Sequence, residues 1–241
     1  MKETKARREL LLGAAGCLLF IIGDFLYAAV GRNQSADMIG LMKVAYLDMA
    51  VWRMAASIVC GAAGTALYYV GFHRMHKLLA LHLRAPAQRK WVDGFRFAYL
   101  TGTVCWAYVH AMFMNTALVF KFVFEKYGDM QQAAEIANRI FYCNAGPVVA
   151  AFLLGDGILS LVMVVMIWKR MLPLKNTAQR VFATLCNPLF CAGIIGNLTT
   201  LLPWPLNQID NGSESLGHLL VLALGLILLR EMKITGELES A

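Results

Sequence analysis

Residues 145–168 read AGPVVAAFLLGDGILSLVMVVMIW. The stretch opens with Gly146-Pro147 and holds one ionisable group, Asp156. At 1.5 Å per residue it makes a helix of about 36 Å, enough to cross a hydrocarbon core of roughly 30 Å. Read as a transmembrane helix, it sets the terms for the rest of the chain.

Five further stretches have the same character: Leu10–Val30, Val51–Phe72 with Arg53 near one end, Phe95–Phe120, Val181–Pro203 with Pro188 inside it, and Ser215–Leu229, which is short unless it begins in the polar residues before it. The 241 residues are 59% hydrophobic and 15% charged. Soluble chains are nearer 45–50% apolar and about 25% charged. That composition excludes a disordered chain, a disulfide-rich secreted miniprotein and an ordinary cytosolic enzyme. The expected fold is an all-α integral membrane bundle of six transmembrane helices, forming one domain over residues 1–241. The first stretch reaches Val30 and carries Asp24 late, which suits a retained span better than a cleaved signal segment.

The cations test the threading. Between and beyond the spans, one side holds Lys2, Lys5, Arg7 and Arg8, then Arg74, Lys77, Arg84, Arg89 and Lys90, then Lys169, Arg170, Lys175 and Arg180, then Arg230 and Lys233. The other side holds Arg32, Lys43, Lys121, Lys126 and Arg139. Fifteen against five, alternating at every crossing, places both termini in the cytoplasm. The net charge of +7 therefore reflects membrane topology and partnership with lipids, and no nucleic-acid module surrounds the basic blocks.

Outside the spans, residues 31–50 read as an interfacial turn or short helix. Gln131–Tyr142 reads as an amphipathic helix at the membrane surface. Asn207, Asp210, Asn211, Gly212 and Ser213 mark a turn-rich loop. The six cysteines include no CxxC pair and read as small apolar residues. Ser57, Gly61 and Thr65 recur every four residues, a stripe for close helix packing or for a homo-oligomer contact.

Ionisable and amide groups inside apolar spans are costly and normally face a bundle interior or a wet cavity. Counted from the cytoplasmic ends, Asp24, His110 and Asn197 lie about 21, 22 and 24 Å along their helices. Asp156 lies about 16 Å from the outer end of its span, His218 about 5 Å from the outer end of its own, and Arg53 just below an outer end. Each span thus sends one polar group into the outer half, and the six together outline a polar ligand- or substrate-binding pocket. In one arrangement Arg53 pairs with Asp24 or Glu214. In another, Asp24, His110, Asp156 and His218 gather a metal such as zinc, whose bound water supports hydrolysis. Polar packing between helices, with no ligand, is the third. Glu214 and His218 share a helix face at i, i+4, and Asn187-Pro188 predicts a kink in the fifth span. His73, His76 and His82 belong to a basic face that attracts anionic headgroups.

Gly23-Asp24-Phe25-Leu26, the segment GTALYYVGFHRMH at 64–76, Tyr108-Val109-His110-Ala111, and the run from Asn187-Pro188 to Pro203-Trp204 carry a resemblance. The chain resembles an uncharacterised family of bacterial polytopic membrane proteins. That resemblance implies a multi-pass location in a bacterial inner membrane and supplies no activity. A looser likeness, to the alkaline ceramidase superfamily and lysoplasmalogenase-like proteins, extends only to the presence of scattered intramembrane Asp and His. Those families have seven or eight spans and ordered motifs that this chain does not match. The expectation is a multi-pass membrane protein with a transport-like pocket for a small-molecule or lipid ligand. A metal-dependent lipid hydrolase is the alternative, and a structural or assembly partner the second.

Overall fold

The computed structural model describes residues 3–35, 37–236 and 238, leaving aside the side chains of 209–211. Lys2, counted above among the cytoplasmic cations, lies outside the described residues, as do the side chains of Asp210 and Asn211. The architecture is all-α apart from one two-residue ladder. Its elements are α1 (Glu3–Ala28), β1 (Met38–Ile39), β2 (Met42–Lys43), α2 (Val51–His82), α3 (Pro86–Tyr127), α4 (Met130–Asn144), α5 (Gly146–Trp168), α6 (Thr177–Leu185), α7 (Pro188–Phe190), a π-helical stretch (Cys191–Gly196), α8 (Asn197–Thr200) and α9 (Ser213–Ile234). Five of them, α1, α2, α3, α5 and α9, are long and apolar enough to cross a membrane, and the count is up to six if the bent pair α6 and Pro188–Thr200 forms one span.

The helices exceed their apolar cores. At 1.5 Å per residue, α2 is about 48 Å long and α3 about 63 Å, well beyond a hydrocarbon core of roughly 30 Å. Their polar ends continue the helix because nothing there breaks it. Pro86 begins α3 at a first-turn position, where its missing N–H costs nothing, and Gly128 ends it in the left-handed conformation at φ 73°.

α1 and α9 run antiparallel. Lys233 pairs with Glu3 at 2.8 Å, while the hydroxyl of Ser215 donates to Asp24 Oδ2 at 3.0 Å. Both described ends of the chain therefore lie at one end of the bundle. α1 and α2 approach closely because glycines meet: a Cβ on Gly13 would lie 2.5 Å from Gly71 Cα. Small residues at a crossing let backbones gain dispersion contact where lipid supplies no hydrophobic drive. The Ser57, Gly61 and Thr65 stripe is buried within this same chain.

Two apolar cores result. The larger, toward the terminal end, packs Phe20, Tyr68, Phe72, Phe95, Tyr99 and Trp106 among all the long helices. The smaller, at the opposite end, packs Met42, Tyr46, Met54, Met114 and Phe120 against Ala133, Ala134 and Ala137 of α4. The expected amphipathic helix is present, bounded by Met130 and Asn144, with Asp129 accepting from the Gln132 amide as N-cap. Its apolar face is covered by α3 and the hairpin rather than left for lipid alone. Where a turn or short helix is expected, the described residues of 31–50 include that hairpin (Met38–Ile39 with Met42–Lys43) and a short 3-10 turn (Val44–Tyr46). Around the bundle, large apolar side chains face outward, with Val104 77%, Val59 66% and Leu161 61% exposed. An apolar exterior of this kind suits contact with lipid.

The fifth expected span, Val181–Pro203, is not one straight helix. α6 and the segment Pro188–Thr200 meet at 68°. The cause is local. Asn187 is extended and its side chain accepts from the Leu189 amide at 3.1 Å, so it caps a new helix whose first residue is proline. The Asn187 amide also donates to the Ser160 carbonyl at 2.8 Å, which fixes the corner against α5. An Asn-Pro pair here starts a helix as well as kinking one.

Candidate functional site

A cavity of about 570 Å³ lies between the two cores, toward the end of the bundle opposite the chain ends. Phe20, Trp106 and Phe152 wall it on one side, Tyr27, Tyr46 and Lys43 on the other. Besides Lys43, its polar lining comes from α1 (Asp24), α3 (His110), the broken segment (Asn197, Thr200) and the start of α9 (Ser213, Glu214, Ser215).

Asp24 is held by Ser215 through one carboxylate oxygen. Its other oxygen lies 3.8 Å from His110 Nδ1. The opposite ring nitrogen, Nε2, is 2.9 Å from the Ser57 hydroxyl, which donates to the Gly23 carbonyl at 2.8 Å. The imidazole sits in a notch made by Gly23 and Gly61, where a Cβ on either would touch it. The order Asp24, His110, Ser57 has the residue types of a nucleophilic triad. However, Ser57 is 0% exposed and is absent from the cavity wall. Its hydroxyl ties α1 to α2 and contacts the His110 ring.

Behind the wall lies a second polar group. Asp156 and His218 are 2% and 1% exposed. His218 Nε2 is 3.2 Å from Asp156 Oδ2 and 3.2 Å from Oδ1. Its Nδ1 is 3.3 Å from the Tyr68 hydroxyl, and the rings of Tyr68, Phe72 and Trp106 enclose it. Glu214, one helical turn before His218, completes the group: one ligand atom from each of Asp156, Glu214 and His218 lies within 4.8 Å of the others. Glu214 also lines the cavity, so it joins the buried group to the open one.

The six expected pocket residues therefore divide. Asp24, His110 and Asn197 line the cavity. Asp156 and His218 lie behind it and meet each other. Arg53 does neither: its Nε donates to the Leu26 carbonyl and its Nη2 to the Ala29 carbonyl, each at 3.0 Å. It pairs with neither Asp24 nor Glu214. It instead caps the last turn of α1, where carbonyls lack helical partners and the helix dipole favours a cation. The four expected metal ligands form two pairs, Asp24 with His110 and Asp156 with His218, and among the described residues the one three-ligand group uses Glu214 in place of Asp24 and His110. Depth in the spans sets Asp156 and His218 together as metal candidates and the i, i+4 spacing sets Glu214 beside His218, but nothing in the sequence adds Glu214 to the metal set.

Residues 1–232 match a family of unknown function, DUF6796. No curated protein and no solved structure matches the chain.

Proposed function

The chain belongs to the family of unknown function DUF6796, and from that premise we propose that it is a multi-pass membrane protein that binds a small polar ligand in the cavity between its two cores, in a transport-like manner. The observation that carries this reading is the broken helix. The π-helical stretch and α8 contribute Ala192, Gly196, Asn197 and Thr200 to the cavity wall. Irregular backbone at membrane depth is tolerated where it lines a cavity, and discontinuous helices supply binding groups in transporters. A volume of about 570 Å³ falls in the range of small-molecule sites.

Both termini face the cytoplasm in this reading, and the cavity opens in the outer half. The cation asymmetry and the common end shared by Glu3 and Lys233 support it. The membrane is the cell membrane, and its lipids are the surrounding partner. The metal-dependent lipid hydrolase has less support, because Asp24 and His110 stand apart from Asp156 and His218. The small-residue stripe is used within the bundle and does not favour a homo-oligomer or an assembly role.

Cysteine accessibility tests the reading. In a Cys143→Ser background, Asn197→Cys and Tyr27→Cys are introduced singly and exposed to a membrane-impermeant maleimide in right-side-out and inverted vesicles. Labelling of both from the outer side, with Asn197→Cys also reached slowly from the inner side, is the expected result. Folded protein that takes no label from either side would overturn it.

A further inference from the structure

We infer that Asp156, Glu214 and His218 form a binding site for a divalent transition-metal ion, zinc foremost, behind the cavity wall and joined to the cavity through Glu214. The inference goes beyond the ligand reading and uses a different residue set from the wall groups Asp24, His110 and Asn197.

Three observations carry it. The first is distance. Ligands of a tetrahedral zinc at about 2.0–2.1 Å stand roughly 3.3 Å apart. The 3.2 Å separations between His218 Nε2 and the Asp156 oxygens match that edge, and the whole three-residue set lies within 4.8 Å. The second is an unpartnered atom. Glu214 Oε1 is shut off from solvent and accepts from no donor, and the Glu214 side chain interacts with that of Asp156, acid against acid. Two buried acids side by side are costly unless a proton or a cation lies between them, and a metal ion bound there satisfies both. The third is the surrounding of the imidazole. Tyr68 hydroxyl at His218 Nδ1 can accept that N–H, which leaves Nε2 with its lone pair toward the carboxylates. Such outer contacts orient histidine ligands in metal sites.

The charge balance agrees. Two carboxylates and one imidazole meet in an apolar shell of Phe72, Trp106 and Tyr68. Arg53, expected from the sequence to pair with Asp24 or Glu214, is committed to the end of α1. Mixed oxygen and imidazole donors suit zinc, manganese or ferrous iron. Of the three residues only Glu214 lines the cavity, so a three-ligand site keeps its open position on that side.

The experiment uses full-length protein purified in detergent after metal-replete expression. Elemental mass spectrometry gives metal content, and titration of stripped protein with Co²⁺, followed by visible absorption, gives affinity and donor geometry. Glu214→Gln and Asp156→Asn keep side-chain shape, and size-exclusion profile and thermal midpoint show that each variant is folded. About one ion per chain is expected in the wild type. Affinity should fall by at least about tenfold in each variant, the lower bound set by what outer-shell changes alone cost. Asp24→Asn should retain the ion. Folded wild type that takes up neither zinc nor cobalt would overturn the site, as would binding unchanged in Glu214→Gln, the milder variant. Metal content is read without any organic ligand, so this site and the ligand pocket succeed or fail separately.

Discussion

His218 Nε2 stands 3.2 Å from each carboxylate oxygen of Asp156, a contact that joins α9 to α5 across the interior of the bundle. Both side chains are almost fully buried, so neither has water as a substitute partner. Removing one member leaves the other stranded, which costs about 3–5 kcal/mol for a buried pair. His218→Ala and Asp156→Ala are each expected to lower the stability by that order in chelator-treated protein. The double variant should lose less than the sum, with a coupling of about 1–3 kcal/mol. Denaturation of all four proteins in the same detergent measures it, and strict additivity would refute the pairing.

Arg53 makes a separate prediction, because it holds the end of α1 and not the pocket. Loss of its two bonds to the Leu26 and Ala29 carbonyls should destabilise Arg53→Ala by about 2–4 kcal/mol, given roughly 1.5–3 kcal/mol for a charged hydrogen bond and partial replacement by water. Arg53→Lys, which keeps the cation at the helix terminus, should recover part of that. Maleimide labelling of Asn197→Cys should be unchanged by Arg53→Lys. A labelling change without a stability change would return Arg53 to the pocket.

The corner at Asn187-Pro188 depends on Gly217. A Cβ there would overlap Pro188 Cα and approach its nitrogen to 2.7 Å, and both are backbone atoms that cannot swing aside. Gly217→Ala should therefore lower the thermal midpoint, at a cost of about 1–3 kcal/mol for an overpacked contact. Gly157→Ala is the control. Nothing lies within 4 Å of its Cβ position, and alanine favours the helix. It should leave the midpoint unchanged or raise it slightly.

Cys143 offers a native reporter of threading. It is exposed near the end of α4, at the end of the bundle opposite Glu3 and Lys233. With cytoplasmic termini, an impermeant maleimide should label it in intact cells, while Lys175→Cys, between α5 and α6, should label only after permeabilisation. The reversed pattern would invert the topology.

The apolar spans, and the helices built on them, were legible because hydropathy is additive along the chain and needs no knowledge of neighbours. The N-caps at Asp129 and Asn187 involve residues only two or three apart, yet they emerge from the structure, where the sequence reading takes Asn187-Pro188 as a kink alone. The corner angle at Asn187-Pro188 was not legible, because Gly217 and the Ser160 carbonyl, distant in sequence, fix it.

The sequence by itself determined an all-α chain with several membrane-length apolar helices, the cations gathered at alternating turns, and the short list of costly polar groups. Position along a helix follows from residue number alone, and Asp24, His110 and Asn197 line one cavity. Rotation about the helix axis and the partner across it do not follow. Only the tertiary structure decided that Arg53 turns to the carbonyls of α1, that Asp156 and His218 lie behind the cavity wall, and that Glu214 links them to it. Those choices depend on which helices pack together, and that depends on glycine contacts such as Gly13 with Gly71, which bring residues far apart in sequence into van der Waals reach.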